Sequence, residues 1–412
     1  MPLPRLERES LKVLILGTDL FSRGGIARYT FTLASTLGGM LGSGNVDVLC
    51  FFDWGYQGCL PTEFGVKGMV SGQSRASVWS RLHFLFEVAK AGMRGYDLVI
   101  ANHVALAPVA AMMKLVFRTP YWVACHCVEV WWGMSWWRRA SFKRADVILP
   151  VSHYTAEVVR QMEGIRTSKV KVLHNAIPNS FVDLLMAQEI NKEINKKSSG
   201  AKVENGRMLL SVCSLAPGNE FKGVDTVIRA LPVVMRVLPD IRYVVVGDGE
   251  VRKSLEIIAA QIGVAQQVTF AGEVSDTGLA ALYRECDVFV LPSRGKGVGG
   301  VAGGEGFGRV YVEAALAGKP VVGSRCGGAA EAVLQGKTGF VVDPDSSGEV
   351  AEALLSILQD RELAGRMGSA GRTWALDMFS EDALSDSLRK LLRPYGFKNE
   401  TLQTLPQAHG PL

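Results

Sequence analysis

Two successive series of short β-branched and apolar runs, interleaved with helix-period patterns, constrain this chain more than any other feature. The first series holds 12-KVLILG-17, a helical pattern from about Gly25 to Leu37, then 46-VDVLC-50, 97-DLVIA-101, 121-YWVAC-125, 146-DVILPVS-152 and 170-VKVLHNA-176. The second holds 208-MLLSVCSL-215, 241-IRYVVVG-247, 267-QVTFAG-272, 287-DVFVLPS-293, 320-PVVGS-324 and 339-GFVVD-343. Strands that alternate with helices form parallel sheets covered by those helices. The chain therefore reads as α/β, with two Rossmann-like domains and ligand expected in the cleft at the carboxyl ends of the strands. A length of 412 residues suffices for two cores of ordinary size. The expected boundaries are an N-terminal domain over 1–178 and a C-terminal domain over 179–378, with 187–207 a linker or solvated segment. A helix over 379–394 is expected to return to the N-terminal domain, and the tail 395–412 to be disordered.

Composition narrows the class. The opening MPLPRLERES is charged up to the first strand-like run, so no secretory signal is expected, and 104-VALAPVAAMM-113 is too short to span a bilayer. Seven cysteines at scattered positions do not suggest a disulfide framework, and reduced thiols fit a cytoplasmic protein. Cys125 and Cys127 flank His126, but with no second ligand cluster nearby they read as strand residues, and no metal site is expected. The net charge of +5, from 45 basic and 40 acidic residues, is too balanced to imply nucleic acid binding.

The segment 303-GGEGFGRVYVEAALAGKPVV-322 places Glu305 and Glu313 around seven residues that include Gly306 and Gly308. A helix is expected from just after Gly308 until Gly318 stops it. Glycines let backbone approach a ligand, and a helix N-terminus offers unpaired N–H groups, which together suit a phosphate. Carboxylates beside such a site would repel phosphate, so hydroxyl groups are their better partners, and a sugar on a nucleoside diphosphate has both features. On residues alone a second reading stays open, with Glu305 a solvated loop acid and Glu313 a capping or ion-pairing residue. Gly247 and Gly249 lie where a strand turns into a helix, a lone GxG without the full dinucleotide fingerprint.

Taken in order, 24-GGIARYT-30, His126 in CHCVEVW, 151-VSHYT-155, 174-HNAIP-178, 222-KGVD-225, VVVGDGE, 287-DVFVLPS-293, the Glu-x7-Glu stretch and 325-RCGGAAEAV-333 form a set. That set resembles the family 4 retaining glycosyltransferases of the GT-B fold over nearly the whole chain. The resemblance implies two Rossmann-like domains facing each other across a cleft, a nucleoside-diphosphate-sugar donor, a sugar or lipid-linked acceptor, and no cofactor. It casts His126, Glu305 and Lys222 as catalytic residues. Glu305 would contact sugar hydroxyls, the backbone at Gly306, Phe307 and Gly308 the sugar or phosphates, Glu313 the ribose, Lys222 the diphosphate, and His126 the transferred sugar near its reacting end. Gly25 would approach the phosphates from the N-terminal domain, and Gly247 and Gly249 join the donor-binding set. Lys222 and backbone N–H groups can offset charge that grows on the leaving diphosphate. In such enzymes the leaving phosphate is held to take the acceptor proton on the same face.

One position departs from the family pattern. Where an arginine usually stands about eight positions before the phosphate lysine, this chain has Ser214, which offers one hydrogen bond and no charge. Arg294, Lys296 or Arg309 could supply that charge, or the donor site is weakened, and the glycine-rich 295–304 could form a lid over donor. The resemblance implies transfer of a sugar to an acceptor hydroxyl in envelope or surface polysaccharide and glycolipid assembly. The alternatives are a GT-B nucleotide-sugar epimerase and a non-catalytic sugar-nucleotide-binding partner.

Directly after His126, 131-WWGMSWWRRASFKR-144 sets Trp131, Trp132, Trp136 and Trp137 beside Arg138, Arg139, Lys143 and Arg144. Tryptophan prefers the membrane interface and clustered cations favour anionic lipid, so this segment is expected to face a membrane or the acceptor. Arg75, Arg81 and Lys90 would extend the basic surface. The expected location is cytoplasmic, peripheral on the inner face of the membrane.

Overall fold

The computed structural model describes residues 11–22, 24–52, 60–69, 77–131, 133–187, 206–295, 297–298, 301–302 and 304–397. Arg75, Trp132, Lys296, the expected linker over 188–205 and the tail from 398 lie outside them. The chain folds as two compact units. The first takes residues up to Val123, Arg144–Asp146 and Asp382 onward, and the second takes Ala124–Lys143 and Val147–Glu381.

One six-stranded sheet is built from β1 (Val13–Gly17), β2 (Val46–Cys50), β3 (Gly65–Met69), β4 (Leu98–Ala101), β5 (Tyr121–Cys125) and β6 (Val147–Pro150), in the order β3-β2-β1-β4-β5-β6. β1 pairs in parallel on both sides, Val13 with Val46 and with Leu98. All five of its residues are buried, as a strand covered on both faces requires. The helices of the chain up to residue 187 are α1 (Gly25–Leu41), α2 (Val78–Gly92), α3 (Ala107–Phe117), α4 (Val128–Trp131), α5 (Trp136–Arg144), α6 (His153–Arg160) and α7 (Asn179–Met186).

A second six-stranded sheet uses β7 (Met208–Val212), β8 (Arg242–Val246), β9 (Val268–Gly272), β10 (Val288–Val290), and two later strands. Between them a two-stranded antiparallel pair, β11 (Gly297–Val298) and β12 (Val301–Ala302), occupies the glycine-rich stretch expected to be a lid. With β13 (Val321–Ser324) and β14 (Gly339–Val342), the order is β14-β13-β10-β7-β8-β9, parallel throughout. Counted within its own sheet this is the same order as the first, so both halves are doubly wound. The accompanying helices are α8 (Val224–Met235), α9 (Val251–Gln261), α10 (Asp276–Glu285), α11 (Arg309–Leu316), α12 (Ser347–Gln359), α13 (Arg361–Phe379) and α14 (Glu381–Leu392).

Three elements differ from expectation. β3 carries two glycines in GVKGM, a composition poor in strand formers, which hid it in the sequence. The run 170–176 is not a strand: it lies along β6 through Lys171 N–H to the Ile148 carbonyl and Leu173 N–H to the Pro150 carbonyl, both 2.9 Å, with one bridge at Val170. α1 continues past Leu37 through Gly38, where a Cβ would lie 1.8 Å from the Glu63 carbonyl oxygen, so glycine there serves close packing.

Near the C-terminus Tyr395 packs edge-on against Trp122, ring centres 5.5 Å apart, and its hydroxyl accepts the Trp122 indole N–H at 2.9 Å. The six cysteines among the described residues are free thiols.

Candidate active site

In a doubly wound sheet, loops leaving the two strands at the switch point part and leave a crevice at their carboxyl ends. In the second sheet that point falls between β7 and β10. The loop after β7 ends in a 3₁₀ turn, Glu220–Lys222, and the loop after β10 leads to α11. Gly223 joins the two loops: its φ is 76°, and a Cβ there would lie 2.0 Å from the Pro292 carbonyl oxygen.

Lys222 and Glu305 meet at this crevice, Nζ to Oε2 at 2.5 Å, each side chain 16% exposed. Burial pushes the Lys222 ammonium down, but the Glu305 carboxylate outweighs it and the net shift is upward, so Lys222 stays a cation. The ammonium also sits 4.9 Å from the centre of the Phe221 ring.

Beside Glu305, α11 starts at Arg309 with Gly308 as its N-cap, and neither a capping side chain nor an acid occupies its first turn. This helix end suits a phosphate. Gly308 has φ 87°, which favours glycine. Gly306 is required for another reason: a Cβ there would lie 2.1 Å from the His126 carbonyl oxygen and 2.7 Å from the Cys127 Cβ. The structure thus brings His126, Lys222, Glu305, Gly306 and Gly308 together. His126 is 7% exposed, and the Glu129 carboxylate accepts its backbone N–H and, at 3.0 Å, that of Cys127. Phe307 turns its ring inward against His174 and Phe379, at 5.7 Å and 5.0 Å between centres.

The other expected site residues are held by protein contacts. Glu313, expected at the ribose, is 3% exposed; its Oε2 accepts the Tyr283 hydroxyl at 3.0 Å and its Oε1 lies 3.5 Å from Arg309 Nε. The i,i+4 spacing from Arg309 and the Tyr283 hydroxyl reaching over from α10 hold it in the core. Arg294 was a candidate for the missing diphosphate charge. Its guanidinium is instead committed, with Asp225 in a two-pronged pair at 2.8 Å and with Asp345 at 2.6 Å. Arg309, another candidate, is 8% exposed and faces Glu313, and Lys296, the third, lies outside the described residues. Gly247 and Gly249 pack on protein: Cβ atoms there would lie 1.9 Å from the Cys213 carbonyl oxygen and 2.2 Å from the Leu215 carbonyl carbon. Their strand-to-helix turn is zipped to the β7 loop by Leu215 N–H to the Asp248 carbonyl at 3.0 Å. Ser214 is exposed on that same loop, its Oγ accepting from Ala216 N–H at 3.3 Å.

Gly25 opens α1 in the first unit, and a Cβ there would meet nothing within 4 Å. Trp131 corrects the expectation of an exposed tryptophan cluster: it is 8% exposed and packs edge-on against Tyr154 at 5.4 Å. Trp136 and Trp137 are 82% and 43% exposed at the start of α5, with Arg138 stacked 5.1 Å from the Trp137 ring and Arg139 3.9 Å from Glu163.

Sequence reasoning missed how the loop 327–331 supports the site. Gly328 N–H donates to the Glu305 carbonyl at 2.7 Å, and a Cβ at Gly328 would lie 2.2 Å from the Gly306 carbonyl oxygen. At the other end of this loop, the Glu331 carboxylate accepts the His153 N–H at 2.7 Å and the Tyr154 N–H, at the first turn of α6. The GG-x-x-E spacing in 325-RCGGAAEAV-333 was visible, but only the fold shows what its ends hold.

Comparisons with known proteins bear on the family and the fold. The family model for glycosyl transferases group 1 matches residues 192–374, and that for Glycosyltransferase Family 4 matches residues 23–181. A GDP-mannose-dependent α-(1-6)-phosphatidylinositol monomannoside mannosyltransferase of Mycolicibacterium smegmatis is 33% identical over 295 residues, covering 70% of this chain and 74% of its own. The monoacylated-lipid counterpart from Corynebacterium glutamicum is 28% identical over 296 residues, covering 70% and 74%. Among solved structures, Anabaena HepE in complex with UDP and glucose superposes with a TM-score of 0.75 at 23% identity, covering 93% of this chain and 100% of its own. WaaG, a glycosyltransferase involved in lipopolysaccharide biosynthesis, gives 0.62 at 21% identity, covering 91% and 99%. The chain belongs to glycosyltransferase family 4, as a GT-B-fold enzyme that transfers sugar from a nucleotide-sugar donor.

Proposed function

We propose that this enzyme moves a hexose, with its anomeric configuration retained, from a nucleoside diphosphate to a hydroxyl of a lipid-linked acceptor in cell-envelope glycolipid assembly. The observation that carries the reading is the Lys222–Glu305 pair at the β7/β10 switch point, beside the uncapped N-terminus of α11. Lys222 and that helix end supply positive potential for a diphosphate, and Glu305, once released by Lys222, accepts hydrogen bonds from sugar hydroxyls. The C1–O bond to diphosphate breaks as the C1–O bond to acceptor forms. The acceptor proton passes to the leaving phosphate oxygen on the same face. His126 lines the sugar near its reacting carbon, and Ser214 donates one hydrogen bond where an arginine would add charge. Glu313, bound to Tyr283 and facing Arg309, acts by holding α11 in place.

The names of the relatives point to GDP-mannose as the first donor to try and to a phosphatidylinositol mannoside as the first acceptor. Among the described residues no helix is long and apolar enough to cross a membrane. Contact with an anionic bilayer is proposed through Trp136, Trp137, Arg138 and Arg139. The test supplies radiolabelled GDP-mannose, UDP-glucose or UDP-galactose with phosphatidylinositol monomannoside. Labelled glycolipid and stoichiometric free nucleoside diphosphate are expected from one donor. Interconversion of the sugar without acceptor, or binding without turnover of any donor, would replace this reading with the epimerase or the non-catalytic one.

A further inference from the structure

α2 wears its apolar residues on the wrong side for a surface helix. Phe84, Val88 and Ala91 face the interior, as one stripe of a helix should. The opposite stripe is also apolar: Val78, Leu82 and Phe86, spaced to share one face, are 70%, 52% and 64% exposed, Met93, the C-cap just past the helix, is 75% exposed, and Trp79 beside them is 80% exposed. Solvent-facing helix positions are normally polar, and contiguous exposed apolar patches mark interaction sites. At about 100° per residue, Arg81 borders this stripe on one side and Lys90 on the other, both exposed. Glu87, the one acid of α2, lies on neither stripe and pairs with Lys90 at 3.1 Å.

α3 extends the patch. Gly92, at the end of α2, is so close to Phe117 that a Cβ would fall 2.2 Å from its ring, which brings the C-terminal ends of the two helices together. At that end Leu115 and Val116 are 84% and 62% exposed, and exposed Arg94 and Arg118 follow the two helices.

We infer that the outward face of α2, with the end of α3, is a membrane-docking surface that lies in the interface of an anionic bilayer. An apolar stripe with an interfacial tryptophan, edged by cations, complements lipid chains flanked by anionic headgroups. A protein partner of this surface would need acidic residues around a matching apolar groove. The inference goes beyond the α5 tryptophans and rests on the proposed lipid-linked acceptor only for its purpose.

The test uses the full chain with phosphatidylcholine vesicles, with and without phosphatidylglycerol, measured by co-sedimentation. Wild type should bind the anionic vesicles, and salt should weaken that binding. Trp79→Ser with Phe86→Ser should lower partitioning by about tenfold or more, since each ring loses its burial in the interface. Arg81→Glu with Arg94→Glu should remove the preference for phosphatidylglycerol. Both pairs are exposed, and transfer to a short-chain, detergent-dispersed acceptor should stay at the wild-type rate. Equal vesicle binding by wild type and the Trp79/Phe86 variant would overturn the inference. So would absence of wild-type vesicle binding together with self-association that this variant abolishes. Loss of transfer in the wild type while vesicle binding persists would sink the proposed function and leave this surface standing.

Discussion

Lys222 and Glu305 cannot both serve a donor while they hold each other at 2.5 Å. In the proposed mechanism a diphosphate takes the ammonium, and in doing so it frees the carboxylate for sugar hydroxyls. Glu305→Gln is therefore expected to lower kcat by about 10²–10³ while tightening nucleoside diphosphate binding, because the internal competitor is gone. Titration calorimetry with GDP and UDP checks this, and weaker binding by the variant would contradict the exchange. Lys222→Ala should lower kcat/KM by about 10²–10³ with an unchanged circular dichroism spectrum. His174 offers a pH-dependent test. Its Nδ1 lies 3.1 Å from the Val151 carbonyl, which can only accept, so Nδ1 carries the proton. Burial lowers its pKa, with His153 adding to the effect and the Val151 bond and Glu331 opposing it. The folded state thus binds protons less readily than the unfolded chain. Its contribution to stability is complete above the ordinary imidazole value of about 6.5 and is lost as pH falls through the lowered value. Urea unfolding should show stability falling on acidification through this window, and His174→Gln should flatten that fall.

Among the elements, the loop 327–331 couples the site to its support, with Gly328 against Glu305 and Gly306 and Glu331 on the first turn of α6. Gly328→Ala would force its Cβ onto the Gly306 carbonyl oxygen and shift the Glu305 backbone. The expected result is a kcat reduced by at least about tenfold with a smaller change in KM, since positioning errors of about an ångström cost rate first. Equal kcat in steady-state assays would remove the loop from the mechanism. α11 was legible in outline, because Gly308 and Gly318 punctuate it. The burial of Glu313 was not, because the partner that closes over it, Tyr283, comes from a helix distant in sequence. Glu313→Gln removes the anion 3.5 Å from buried Arg309 and should cost on the order of 3 kcal/mol in denaturant unfolding. A role confined to ribose binding would leave stability unchanged.

At the scale of the whole molecule, the alternation of β-runs and helices was enough to read two doubly wound sheets, because parallel strands buried on both faces show as continuous apolar runs. Strand order was not readable, since pairing between strands distant in sequence leaves no local mark, and that order is what brings Lys222 and Glu305 to one crevice. Likewise the residues of 131–144 showed their composition but not their burial, which separates Trp131 from Trp136. If Lys222 and the end of α11 supply the positive potential, transfer should proceed unchanged in EDTA, and activity that disappears and returns with Mn²⁺ would contradict this electrostatic account. The central claim is retaining transfer through the Lys222–Glu305 crevice. Its most direct measurement is the NMR anomeric configuration of the glycoside made from an α-linked donor such as GDP-mannose, by wild type and by Lys222→Ala in parallel. The account requires an α-linked product from wild type and almost none from the variant; a β-linked product, or equal α-linked product from both, would contradict it.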